Sequence, residues 1–141
     1  MHKTLRMEKY KNSIDVVTSL CRYLKQQSDF KVFAYEKDEN YRGDYIAVNS
    51  LSVNYGKWVD SNLINLNIHA QDNSSGSLNK ESLSRMYENV CNLIPYTNEM
   101  TETEDQPLMV DGIAYSISSD SNVMKDNDET HFINLRIKVQ F

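Results

Sequence analysis

The sequence predicts a single α+β domain, a mainly antiparallel sheet of about five strands with two helices packed on one face. Three observations carry that expectation. Two segments repeat apolar residues at three- and four-residue steps: Ile14, Val17, Leu20, Cys21 and Leu24, and later Leu83, Met86, Tyr87, Val90, Leu93 and Ile94. Two others, Leu63–Gln71 and His131–Phe141, follow the two-residue period of a strand with one buried face. All of this lies within 141 residues, a length at which one shared core is the usual solution.

Taken in order, the first helix spans roughly Thr4 to Gln27. Its pattern is weaker before Ser13, so Ser13 is an alternative N-cap, with residues 1–12 then a loose arm. Phe30–Glu36 (FKVFAYE) is rich in aromatic and β-branched residues and reads as a strand. The polar stretch Lys37–Asp44 supplies a turn, and Tyr45–Val53 is the second strand. A gap of eight residues favours an antiparallel hairpin, because a parallel crossover normally needs a dozen or more.

In Leu63–Gln71, Ile64, Leu66, Ile68 and Ala70 alternate with Asn65, Asn67, His69 and Gln71. A plain solvated face favours Lys, Glu and Thr, so outward amides hint at contact with another protein or a wet channel. Asp72–Ser77 is a loop. The second helix opens on Asn79 as N-cap, with Leu78 and Leu83 spaced as a hydrophobic staple, and Pro95 stops it. Residues 97–107 carry four acids and no base. Strand material resumes at Leu108–Val110 and Ile113–Ser118 around Asp111-Gly112, and Asp120–Glu129 is a second acidic loop. In the closing strand Ile133, Leu135, Ile137, Val139 and Phe141 alternate with Phe132, Asn134, Arg136, Lys138 and Gln140, which places it well inside the sheet. The element order is α-β-β-β-α-β-β.

Composition narrows the function classes. Hydrophobic residues make up 40% and charged residues 25%, which excludes wholesale disorder. No apolar run approaches the ~20 residues of a membrane span, and the charged N-terminus lacks the apolar region of a secretory signal. Cys21 and Cys91 fall on apolar helix positions, as reduced buried thiols of a cytoplasmic protein would. The net charge of −5 is unevenly distributed: residues 1–70 hold ten Lys/Arg against eight Asp/Glu, and residues 71–141 hold five against twelve. The only cationic concentration is Lys3, Arg6, Lys9, Lys11, Arg22 and Lys25, which a solvated helix face explains as well as a phosphate contact does.

No catalytic motif emerges. His69, Asp72 and a serine of the next loop are sequence neighbours, a spacing that does not align an activated nucleophile, and there is no G-x-S-x-G elbow. Asp126, Asp128 and Glu129 resemble the start of a calcium loop, but Thr130 and His131 stand where a ligand and a glycine belong. The cysteines lack zinc-site spacing, and the glycines are too far apart for a phosphate loop. No catalytic residue, cofactor or metal ligand is assigned, and a non-enzymatic role is expected.

The element order, the strand LINLNIHAQD (Leu63–Asp72, matched over Ile64–Asp72) leading into the helix Leu83–Ile94, the long insertion, and the closing strand THFINLRIKVQF (Thr130–Phe141, matched over His131–Val139) together resemble the lambda-like tail terminator, or tail-completion, proteins of long-tailed bacteriophages. That resemblance implies a structural subunit forming a homo-oligomeric ring, typically a hexamer, which caps the tail tube and meets the head connector. It implies a location in the virion tail, assembled in the bacterial cytoplasm. Tail-tube and connector proteins are the implied partners, with no membrane or nucleic acid among them. The uneven charge suits a head-to-tail contact that closes into a ring. The expected interface pairs Arg6, Lys9, Lys11, Arg22 and Lys25 with Glu102, Glu104 and Asp105, or with Asp126, Asp128 and Glu129, of the next subunit. The competing expectation is a small adaptor or immunity-type module that docks a basic partner on its acidic half. An enzyme would instead show a deep pocket holding His69 or His131 beside a carboxylate.

Overall fold

The computed structural model describes residues 13–52, 62–97 and 106–140. The expected N-terminal arm, the interface residues Arg6, Lys9, Lys11, Glu102, Glu104 and Asp105, and Phe141 lie outside the described residues. Among the described residues, two helices, α1 (Ser13–Gln27) and α2 (Lys80–Leu93), accompany seven strands. The strands are β1 (Val32–Ala34), β2 (Tyr45–Ser52), β3 (Asn62–Gln71), β4 (Leu108–Val110), β5 (Ile113–Asp120), β6 (Met124–Lys125) and β7 (Thr130–Gln140). They form one mixed sheet in the order β1-β2-β3-β7-β5-β4, with β6 pairing β7. The α+β class, the mainly antiparallel sheet and the inside position of the closing strand agree with the sequence reading; there are more strands than the five expected.

Both helices pack on one face. Val16, Val17, Leu20, Cys21 and Leu24 of α1 and Leu83, Met86 and Val90 of α2 share a core with Ile64, Leu66, Ile68 and Ala70 of β3 and Leu135, Ile137 and Val139 of β7. Burying each such aliphatic side chain stabilises the fold by about 1.5–3 kcal/mol. Tyr115 of β5 is fully enclosed in this core, and its hydroxyl donates to the Val16 carbonyl at 2.7 Å. A phenol so deep is tolerated because its one polar atom has a partner. At α2 the Asn79 side chain accepts from the Ser82 amide at 3.2 Å, the N-cap expected from the sequence.

Three expectations are corrected. The first concerns β1 and β2, which run parallel, with Val32 opposite Ile46 and Ala34 opposite Val48. The reason is length: β1 has three residues, about 10 Å at strand rise, so the segment 35–44 can return to the starting end without a helix. Tyr35, at φ 70°, turns the chain out of β1, and its amide still donates to the Val48 carbonyl. The second concerns Ile14, which is 62% exposed. At 100° per residue it lies about 90° from the centre of the buried stripe, on the flank of α1. Third, the acidic stretch 120–129 is not wholly loop, because β6 forms a short hairpin with the start of β7.

Asp111 and Gly112 both have positive φ (52° and 79°), the two-residue turn that suits the twist of a β4–β5 hairpin. After Pro95 the chain does not leave the sheet at once: Tyr96 bridges Ile117, the Thr97 amide donates to the Ile117 carbonyl, and the Ile117 amide donates to the Pro95 carbonyl. No described helix is long and apolar enough to cross a membrane.

Candidate functional site

The face of the sheet away from the helices carries the polar half of the alternation. Across β2, β3 and β7 the register sets Asn49 beside Asn65, Asn67 beside Asn134, and Tyr45, His69 and Phe132 in one row. The amides bond to one another: Asn65 Nδ2 donates to Asn49 Oδ1 at 3.1 Å, and Asn134 Nδ2 donates to Asn65 Oδ1 at 3.1 Å and to Asn67 Oδ1 at 2.7 Å. In the neighbouring row the His69 ring is stacked between Tyr45 (centroids 4.3 Å apart) and Phe132 (4.7 Å), and Phe33 and Tyr41 meet Tyr45 edge-on. Stacking encloses His69, which is 4% exposed.

Three loops converge at this end of the sheet. The β6–β7 turn is closed by the Asp126 amide donating to the Thr130 carbonyl, with Glu129 at φ 64°. Thr130 donates its hydroxyl proton to Asp128 Oδ1, and the Tyr45 phenol donates to Asp128 Oδ2. A hydroxyl has a single proton, so the 2.9 Å contact between Thr130 Oγ1 and His69 Nδ1 requires the imidazole to donate from Nδ1. The result is a chain running from His69 through Thr130 to Asp128. A second clip lies beside it: Asp72, 3% exposed at its side chain, accepts from His131 Nδ1 and from Lys125 Nζ at 2.7 Å. Asp44 completes the assembly by accepting the Gln71 amide at 2.8 Å.

The electrostatics follow from these contacts. Burial lowers the His69 pKa below its ordinary value, with Lys37 acting in the same direction and Asp128 and Asp126 opposing, so the ring favours its neutral form. At Asp128 burial acts upward, yet the hydrogen bonds from Thr130 and Tyr45, with the charge of Lys37 and that of His69 whenever its ring is protonated, prevail and hold the carboxyl below its usual range. Asp72 follows the same logic, burial opposed by Lys125 and His131, with a net lowering. Burial, then the Asp128 hydrogen bond, pushes the Tyr45 phenol far up.

A cleft of about 600 Å³ opens beside the turn, lined by Glu36, Lys37, Glu39, Arg42, Tyr45 and residues 126–129. Neither His69 nor His131 lines it, although each has a carboxylate near, His131 directly bonded to Asp72 and His69 through Thr130. Thr130 gives its proton to a carboxylate, the reverse of what an imidazole-activated nucleophile requires.

The described residues among those expected at an interface are dispersed. Arg22 pairs with Asp111 of its own chain in an exposed contact. Lys25 borders a shallow cleft with Ser28, Asp29 and Phe30 near the end of α1. Asp126, Asp128 and Glu129 share the turn beside His69, where Asp128 is committed to Tyr45 and Thr130. Sequence reasoning missed Tyr45, Thr130 and Phe132, whose link to His69 exists only through the register of three strands. Cys21 and Cys91 are both free thiols, and burial, partly opposed by Lys25, pushes Cys21 up to about 11, which makes it a poor nucleophile.

Compared with known proteins, the chain matches no protein-family model and no curated protein.

Proposed function

We propose that this protein is a structural assembly subunit, forming a homo-oligomeric ring of the kind a bacteriophage tail terminator builds at the end of a tail tube. The observation that carries the reading is the amide ladder Asn49–Asn65–Asn134–Asn67 on the face opposite the helices. Short amides bonded to one another are already ordered and neutral. They therefore lose little side-chain entropy and shed no charge when a second surface lies against them. Among the described residues, both helices pack on the other face, which supports reading the ladder as a surface for a partner.

A second copy of the chain is the occupant this reading assigns. The net-positive first half and the strongly acidic second half favour a head-to-tail contact between unlike surfaces, and such contacts close into rings. The open cleft end supplies acids Asp126 and Glu129 for that contact, while Lys25 lies on α1. In this role the chain performs no catalysis, resides in the virion tail, and meets tail-tube and head-connector proteins on the two ring faces.

Size-exclusion chromatography with light scattering, at low and high salt, together with negative-stain imaging, tests the proposal. A discrete oligomer with a central hole is expected, weaker at high salt because part of the attraction is between charges. A strict monomer at high concentration in both salts, with no ring on added tail tubes, would overturn it in favour of an adaptor that docks a single partner.

A further inference from the structure

We propose that His69, Asp126 and Asp128 form a binding site for a borderline divalent transition-metal ion such as Zn²⁺ or Co²⁺. The three side chains present ligand atoms that all lie within 4.8 Å of one another. His69 Nδ1 is 3.8 Å from Asp126 Oδ2 and 2.9 Å from Thr130 Oγ1, which in turn is 2.5 Å from Asp128 Oδ1. Around an ion with bonds of about 2.0–2.2 Å, neighbouring ligand atoms stand roughly 3–3.5 Å apart. The set therefore closes on an ion after side-chain shifts of up to roughly 1.3 Å, with the Thr130 hydroxyl giving up its place between His69 Nδ1 and Asp128 Oδ1.

The donors are neither a run of surface acids nor products of one loop. His69 comes from β3, fixed by stacking between Tyr45 and Phe132, and the carboxylates come from the β6–β7 turn. Tyr45 holds Asp128 through Oδ2, so Oδ1, which accepts the Thr130 hydroxyl in the metal-free chain, is the oxygen offered to an ion, the arrangement by which an outer hydrogen bond orients a metal-binding carboxylate. Asp126, 41% exposed at its side chain, borders the cleft and gives an ion a path in. One imidazole with two carboxylates selects against Ca²⁺ and Mg²⁺, which prefer all-oxygen shells, and suits zinc and its first-row neighbours. On binding, the proton at Nδ1 moves to Nε2, so the Nδ1 lone pair reaches the ion. The nearby ammonium of Lys37 bonds instead to the carbonyls of Asp38 and Tyr41.

Calorimetric titration of the chelator-treated full chain with ZnCl₂, and absorption spectra with CoCl₂, test this independently of any oligomer. One saturable site per chain is expected, with visible cobalt bands and transfer of the His69 ring proton in ¹⁵N NMR. Asp126→Asn should weaken zinc binding at least about tenfold, while the metal-free fold is unchanged, because the new amide oxygen can still accept the Asn127 amide. His131→Gln should bind as the parent does. No saturable site up to millimolar metal, undiminished binding by Asp126→Asn, or loss of binding in His131→Gln would each overturn the assignment.

Discussion

The Tyr45 phenol donates to the Asp128 carboxylate across 83 residues of sequence, and that one bond fastens the β6–β7 turn to the second strand. Hydrogen bonds to ionised acceptors contribute about 1.5–3 kcal/mol when their geometry is good. Tyr45→Phe keeps the stack on His69 and removes only this donor, so urea unfolding should show a loss in that range. Tyr35→Phe is the control. Its hydroxyl reaches the Ser13 carbonyl at 3.4 Å on the surface, and its removal should change stability by less than about 0.5 kcal/mol.

Stability should fall as pH drops below the ordinary histidine value of 6.5. Burial lowers the folded pKa of His69, so below 6.5 the unfolded chain binds a proton the folded chain does not, and stability is progressively lost toward the folded pKa. Asp72 and Asp128, also lowered, add a second decline that begins near their ordinary value of 3.8 and continues downward. Denaturation midpoints compared across pH 7.5 to 5 and then across pH 4.5 to 2.5 separate the two. His69→Gln should flatten the upper decline and leave the lower one; equal slopes in parent and variant would exclude His69 as its source.

The pattern of side chains reached some features and not others, for physical reasons visible at single residues. Periodicity is local, so β3, β7 and both amphipathic helices were legible, as was the Asn79 cap. Direction and partnership are not local. Nothing in Phe30–Glu36 announces that only three residues would pair, and that brevity is what permits the parallel β1–β2 contact. The site was legible only in fragments: the amides of β3 stood out as unusual, yet Asn49 and Asn134 joined them through register alone. His69 lies far along the chain from Asp126 and Asp128, and the failed calcium-loop pattern pointed away from a turn whose partner is a histidine on another strand.

Apolar character alone misplaced Ile14, and a pair of truncations shows the difference. Leu135 is fully buried at the centre of the sheet, so Leu135→Ala should cost about 2–5 kcal/mol through lost burial and a residual cavity. Ile14→Ala, on the exposed flank of α1, should stay within about 0.5 kcal/mol and gain slightly from the helix preference of alanine. Thermal denaturation of both variants checks this. A large loss for Ile14→Ala would mean that residues outside the described set cover it.

The ladder offers the sharpest separation of folding from assembly. Asn49 stands at its end, accepting one bond from Asn65, and is half-buried, so a longer side chain there can turn toward solvent. Asn49→Lys should therefore cost the isolated chain only about 1 kcal/mol, the value of one neutral hydrogen bond. Against a neighbouring subunit the same ammonium would be stripped of water without an acceptor, a penalty of several kcal/mol at each contact. Light scattering should show the oligomer reduced to monomer while the circular dichroism spectrum is unchanged and melting falls by only a few degrees. An intact ring carrying this lysine would remove the amide face from the interface and leave the charged loop end as the contact to test next.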